Sequence, residues 1–400
     1  MTNQSNRLKL IKPSMTVAIN VKANELRSSG KDVLVLAAGE PDFDTPKHIR
    51  DAAVKAMEEG KTRYVPGRGT KELQNAIIKK FQKENNISYA HDEIMVGVGG
   101  KHIIYNAMMA TLNPDDEVII PSPFWVSYPD IVMLAEGKPI IVECDSNEGF
   151  KISPEKLEKN ITNKTKWLML NSPSNPTGAL YTYDELKALS EVLLKYPKIL
   201  ILSDDIYEKI IYDDHKFFTL ASVEPKLKDR VLTMNGVSKA YCMTGWRLGY
   251  CGGPKDVIAG MNKIQSQSTT STSSITMAAS VEALEGNQEF IKHNNIQFKK
   301  RRNMVLEKIN EINGLSCSVP AGAFYVYPNC AGLIGKKTPE GKTIYTDEDL
   351  MNYLLDSEGV AGVHGEAFGL SPYFRLSYAT DESTLVEACE RIKRACSNLN

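Results

Sequence analysis

The stretch NGVSKAYCMTGWRLGY (residues 235–250) places one lysine, Lys239, soon after the apolar run RVLTM, and one arginine, Arg247, further along. A lysine at a strand end loses hydration, which lowers its pKa from about 10.4 toward neutrality. A neutral amine is a nucleophile toward carbonyls and can hold an aldehyde as an imine. Taken alone, Lys239 reads as an ordinary surface cation, and it is its neighbours that favour the other reading. Arg247 offers a planar, always-charged fork suited to a phosphate, and the hydroxyl of Ser238 adjoins Lys239 in the chain.

Other strand ends carry complementary groups. VGVGGKHIIYNAMMATL reads as a strand, a Gly-Gly turn and an amphipathic helix starting near Gly100 and Lys101, whose free backbone N–H groups suit an anion. It is no dinucleotide fingerprint, because His102 stands at the third glycine position. Nor is it a Walker loop, because His102 replaces Ser/Thr. A plain tight turn also explains it.

Asp204 closes KILILSD and can hold a charged hydrogen bond to a protonated ring nitrogen. Asp205 is its rival and helix capping the ordinary alternative; the strand-end position and the Asp-x-x-Tyr spacing to Tyr207 favour Asp204. Asn175 lies in the Pro/Gly-stiffened NSPSNPTG, suited to a fixed bond to a ring oxygen or to an ordinary Asx turn. Trp125 in PSPFWVSYPD presents a flat face to a planar ring, or fills a core. Together these groups describe a planar, phosphorylated pyridine aldehyde held by an imine, and pyridoxal 5'-phosphate fits each of them.

Those groups need a frame, and the chain supplies helices alternating with short apolar strands, the pattern of an α/β fold with a mainly parallel sheet. Strands are expected at 93–98, 116–121, 138–144, 166–171, 198–204, 230–235 and 247–253, with ligands beyond their carboxyl ends. A first helix is expected after Thr45 as N-cap and Pro46 at N1, ending at Gly60. A long charged helix from about 290 opens a smaller α/β unit. The expected division is an N-terminal segment 1–44 packing with the small domain, a large domain 45–290 and a small domain 291–400.

The formal net charge of −1 supplies no global field for nucleic acid or an anionic membrane, and FKKRR (298–302) reads as a solvated helix face. No segment approaches the roughly 18 apolar residues of a membrane span, and none resembles a signal peptide. The seven cysteines lack Cys-x-x-Cys spacing, and Cys389 and Cys396 share an apolar helical face, as expected of reduced thiols in a cytoplasmic protein. The six scattered histidines point to no metal site.

The chain resembles the class I aspartate aminotransferases of pyridoxal-phosphate fold type I, in the bacterial branch marked by SKAxxMTGWRxGY. The resemblance runs nearly end to end, through AAGEPDFDTP (37–46), RYVPGRGTKELQNAI (63–77), PSPFWVSYPD, NSPSNPTG, SDDIYE and YFRLSYAT (373–380). It implies a seven-stranded sheet flanked by helices, with Lys239 bound to the cofactor aldehyde. Asp204 would lie on the pyridine nitrogen, Tyr207 and Asn175 on the ring hydroxyl, and Trp125 beside the ring. Arg247, Ser238, Gly100 and Lys101 would take the phosphate, joined by Tyr64 from the neighbouring subunit of a homodimer with shared sites. Arg375 would bind the substrate α-carboxylate, helped by Asn175 and the Gly39 backbone.

The implied substrates are amino acids and 2-oxo acids: L-aspartate or L-glutamate with 2-oxoglutarate or oxaloacetate. Lys101 and hydroxyls of 266–274 would meet the distal carboxylate, and Lys12 matches a position that related enzymes use for the extra carboxylate of prephenate. The resemblance departs at His364, where proline is usual and a looser loop near Arg375 is expected, and in the polar stretch 332–346. The same scaffold also serves alanine or aromatic aminotransferases and β-lyases. An aminotransferase-like regulator would need a DNA-binding segment, and a dehydrogenase would need the full glycine fingerprint.

Overall fold

The computed structural model describes residues 3–13 and 15–400. All seven apolar runs become strands of one sheet: β1 (Ile94–Gly97), β2 (Glu117–Ser122), β3 (Lys138–Glu143), β4 (Thr165–Asn171), β5 (Leu200–Asp204), β6 (Val231–Gly236) and β7 (Gly249–Gly252). Their spatial order is β1-β7-β6-β5-β4-β2-β3. The β3-β2-β4-β5-β6 pairings are parallel, whereas β7 runs antiparallel to both β6 and β1. Every residue of β1, β6 and β7 is buried, as required of strands covered on both faces.

Successive residues along each strand enter different cores. Ile94, Val96, Ile201 and Tyr250 pack toward Leu73, Ile77 and Phe81 of the helix Lys71–Asn85. Met95, Leu202, Met234 and Cys251 join Ile104 and Met108 of the helix Gly100–Thr111. One edge of the sheet therefore collects the ends of β1, β2, β4, β5 and β6 together with the start of β7. This is why Arg247 precedes its strand while the other groups at that edge follow theirs.

The first expected helix forms at Lys47–Glu58, but Thr45 does not cap it. Its hydroxyl instead donates to the Cys242 carbonyl at 2.5 Å and accepts from the Trp246 indole at 3.0 Å, anchoring the lysine segment. The FKKRR expectation is also corrected: Arg301 and Arg302 are 7% and 2% exposed. Arg301 forms a fork–fork pair with Asp42 at 2.7 and 2.9 Å, and Arg302 binds Asp213 and the Pro320 carbonyl.

The C-terminal third carries the helices Glu289–Asn310, Asp347–Glu358 and Glu382–Ser397, with a small antiparallel sheet of Tyr325–Val326, Phe374–Ser377 and Val363–His364. Leu34–Val35 pairs in parallel with Val360–Ala361, and the helix Met15–Ser28 packs on Val360–Ala361 and Val363–His364. His364 is buried and paired opposite Phe374, so the backbone beside Arg375 is held in a ladder, not in the loosened loop expected. In 332–346, Leu333 and Ile344 are buried, and Lys337 exchanges backbone bonds with Asn400. All seven cysteines are unpaired. Among the described residues, no helix is long and apolar enough to cross a membrane and no cluster could hold a metal.

Behind the SDDIYE turn, Lys80 is 4% exposed and paired with Glu208, while Asn85 accepts from Lys80 at 2.7 Å and donates to Glu208 at 2.9 Å. Glu208→Leu leaves the buried ammonium with only the more distant Glu84, at 3.8 Å, as counter-charge, which costs about 3 kcal/mol. A matching fall in the denaturant midpoint at unchanged m-value is expected, and a loss under about 1 kcal/mol would contradict the role given to this pair.

Candidate active site

A cavity of about 350 Å³ opens at the collecting edge of the sheet. Four cationic side chains (Lys101, Lys239, Arg247, Arg375) and two anionic ones (Glu40, Asp204) line it. Lys239 is only partly reached by solvent and donates to the Gly39 carbonyl, with the rings of Tyr207 and Phe324 5.8 and 5.9 Å from its amine. Burial, reinforced by the positive charge of Arg375, pushes its pKa down to about 8. More of it is therefore neutral, nucleophilic amine near neutral pH than in an ordinary lysine.

Asp204 ends β5 and is 4% exposed. Its Oδ2 accepts from the Tyr128 phenol at 2.6 Å and its Oδ1 from the Ile206 N–H at 3.3 Å. Burial pushes the carboxyl up to about 6, against the Tyr128 bond and the Lys239 charge. Asp205 is also buried but lies outside the cavity wall, where it accepts from Ser203 at 2.7 Å. The Asn171 amide joins two strand ends, donating to the Asp204 carbonyl at 2.9 Å and accepting from the Asn175 N–H at 2.8 Å. Tyr207 shares a 2.8 Å hydrogen bond with Tyr325, whose hydroxyl lies 3.0 Å from where a Cβ on Gly39 would stand.

One corner of the cavity is built for an anion. Gly99 has φ +84°, and a Cβ there would stand 2.5 Å from Nη2 of Arg247, so only glycine lets that guanidinium lie on the turn before the helix Gly100–Thr111. Ser238 lines the same cavity, and the helix start adds unpaired N–H groups.

Arg375 supplies the second anion end. It is 2% exposed, donates to Asn175 Oδ1 at 2.8 Å and the Ala37 carbonyl at 2.6 Å, and stacks 4.5 Å from the Tyr325 ring. Its Nε–H has no partner, an orphaned buried donor that a carboxylate would satisfy. Trp125 lines the space between, with the Lys101 amine 5.0 Å from its ring. An amine, a carboxylate, an aromatic wall and an anion corner in one cavity suit the aldehyde, nitrogen, ring and phosphate of pyridoxal 5'-phosphate.

Eleven of the thirteen residues singled out in the sequence line this cavity; Lys12 and Tyr64 do not. Lys12 is exposed, with its backbone and charge near Asp130, and Tyr64 is 93% exposed. Of the hydroxyl-rich stretch 266–274, Ser271, Thr272 and Ser273 face an adjoining cleft of about 730 Å³ instead, because Thr272 bonds the Arg247 carbonyl at 3.1 Å. That cleft shares Arg247 and Thr244 with the cavity. Tyr128 and Asn171 went unnoticed in the sequence although both sit inside quoted motifs, two residues that only the folded neighbourhood of Asp204 brings forward.

The lowered pKa of Lys239 has a measurable sign. Since the neutral amine reacts, acylation by a small amine-directed reagent, read at Lys239 by peptide mass, should rise with pH and level off above about 8. Exposed lysines should keep climbing past pH 10, near their ordinary value of about 10.4. A Lys239 profile that tracked the exposed lysines would contradict the burial argument.

The family model for aminotransferase class I and II matches residues 31–392. A probable aspartate/prephenate aminotransferase of Rhizobium leguminosarum bv. phaseoli is 55% identical over 392 residues, covering 98% of this chain and 98% of that protein. The aspartate/prephenate aminotransferase of Cereibacter sphaeroides is 53% identical over 396 residues, covering 99% of each. The crystal structure of the aspartate aminotransferase from Rhizobium meliloti superposes with a TM-score of 0.98 at 52% identity, over 100% of both chains. With the lysine segment, the Asp204 turn and Arg375 gathered in one cavity, the chain belongs to the class I and II aminotransferases.

Proposed function

We propose that the protein is a pyridoxal-phosphate-dependent aspartate aminotransferase, moving an amino group between L-aspartate or L-glutamate and oxaloacetate or 2-oxoglutarate by a ping-pong cycle. The observation that carries this reading is the pairing, in one cavity, of the low-pKa amine of Lys239 with the buried guanidinium of Arg375 and its unspent N–H. The names of relatives more than half identical over nearly the whole chain support the substrate class.

When bound, the cofactor supplies an aldehyde carbon for the amino group and a protonated pyridine ring that takes up the electron pair released at the substrate α-carbon. Asp204 would hold a proton at the ring nitrogen, and Tyr207 and the Asn175 amide would bond the ring oxygen. Arg247, Ser238 and the helix start at Gly100 and Lys101 hold the phosphate, with Trp125 against the ring. Arg375, with Asn175 and Gly39, orients the substrate by its α-carboxylate. The Lys239 amine, once free, takes the proton from the substrate α-carbon and returns it on the other side of the transfer.

Lys101 is the cation placed to meet a distal carboxylate. The prephenate named for two relatives supports a second amino acceptor, with Lys12 beside Asp130 as the residue for its extra carboxylate. The nearly full exposure of Tyr64 and the cleft of Ser271–Ser273 support a homodimer in which Tyr64 reaches the neighbouring phosphate, and the seven unpaired cysteines support a cytoplasmic location. The pairing of 34–35 with 360–361 supports an N-terminal segment to residue 44 that travels with a small domain beginning at 291.

L-Aspartate added without an acceptor should convert the absorbance of the bound aldehyde form to that of the pyridoxamine form, and prephenate should restore it. Lys239→Ala should cost about 10³-fold or more in turnover with the fold intact. Arg375→Lys should lose about 10- to 100-fold in kcat/KM, because an ammonium cannot reproduce the fork. An aldehyde band indifferent to aspartate but responsive to alanine or an aromatic amino acid would reassign the substrate.

A further inference from the structure

We propose that Tyr128 is the positioning residue that keeps Asp204 ionised and aimed for the pyridine nitrogen. The inference rests on the cofactor reading above and assigns the step before it: what keeps a deeply buried carboxylate charged.

The geometry is set by a single turn. Tyr128 N–H donates to the Trp125 carbonyl at 3.0 Å, and the two rings meet edge to face with centroids 5.4 Å apart at 87°. The residue that walls the cavity and the residue that bonds Asp204 therefore move as one unit. Tyr128 is 2% exposed and begins the helix Tyr128–Leu134. Its phenol takes Oδ2 of Asp204 while the Ile206 N–H takes Oδ1, so both oxygens are fixed and the carboxylate plane cannot turn.

The titratable groups around this pair are few. Lys239, following β6, is a cation that favours the charged carboxylate. Burial, Asp204 itself, and Tyr207 and Asp205 on Asp204's own segment hold the Tyr128 phenol protonated, so it stays a donor. Asp205 is bonded to Ser203, away from the cavity. Burial drives Asp204 toward its neutral form, which could not hold a proton on the ring nitrogen. Tyr128 is the side-chain hydrogen-bond donor opposing that drift. Phenylalanine in its place would keep the edge-to-face packing and remove only that donor.

The sign of the effect follows. Losing a donor to the charged form raises the Asp204 pKa, by about one to two units for a bond to an ionised group. The neutral carboxyl then persists to higher pH, so ring binding weakens at pH 6 to 7 and not at pH 9.

The test measures the affinity of the cofactor-free full chain for pyridoxamine 5'-phosphate, which carries the ring and phosphate without the aldehyde, from pH 5.5 to 9. The expected ratio of Kd for Tyr128→Phe to Kd for wild type is near one at pH 9 and about ten-fold at pH 6, where about one to two pKa units separate the two carboxyls. In an Asp204→Asn background, adding Tyr128→Phe should leave the affinity unchanged at every pH. A ratio independent of pH, or the same loss from Tyr128→Phe with and without the Asp204→Asn change, would overturn the inference while leaving the cofactor reading intact. Wild-type protein that binds no pyridoxamine 5'-phosphate at any pH would overturn both.

Discussion

An imbalance of charge governs the structure: four cations and two carboxylates line one small cavity, with Lys239, Asp204 and Arg375 drawn in from solvent, in a chain whose overall charge is −1. Burying like charges together is costly unless anions join them. Within the protein the cost is limited by carbonyls, with Lys239 resting on Gly39 and Arg375 on Ala37 and the Asn175 amide. These contacts are replaceable. A phosphorylated cofactor and a carboxylate substrate bring the missing negative charge, so ligand binding completes the electrostatics that folding leaves open. Burial first, and the Arg375 charge second, lower the pKa of Lys239.

The sheet makes this arrangement possible at modest cost. Parallel strands deliver their last residues to one edge, and antiparallel β7 brings Arg247 there from the opposite direction. The approach is so close that a Cβ on Gly249 would collide with the Gly100 nitrogen. Away from the cavity, Thr45 and Trp246 hold the lysine segment, and the Lys80–Glu208 pair holds the turn carrying Tyr207. The lysine segment and the Tyr207 turn thus rest on side chains that lie outside the cavity wall.

Much of this was legible in the sequence because strand ends announce themselves. Apolar runs that stop at NSPSN, SDD or NGVSK mark both a strand and what lies beyond it, and all seven strands formed where expected. The direction of β7 was not legible, since an all-buried run has no alternation from which to read its partners. The burial of Arg301 and Arg302 escaped notice because their carboxylates, Asp42 and Asp213, are remote in sequence. Thr45 looked like a cap because the local pattern fitted one, yet a tertiary carbonyl claimed its hydroxyl. Tyr128 stayed hidden for the same reason, its partner Asp204 lying on another strand.

The most direct measurement locates the reactive amine. Cofactor-free protein is mixed with pyridoxal 5'-phosphate, reduced with borohydride to fix whatever bond has formed, and mapped by peptide mass. A single adduct at Lys239, with Lys101 of the same cavity unmodified, is the expected result. An adduct at Lys101, or label spread over exposed lysines with Lys239 untouched, would contradict the assignment of the cavity.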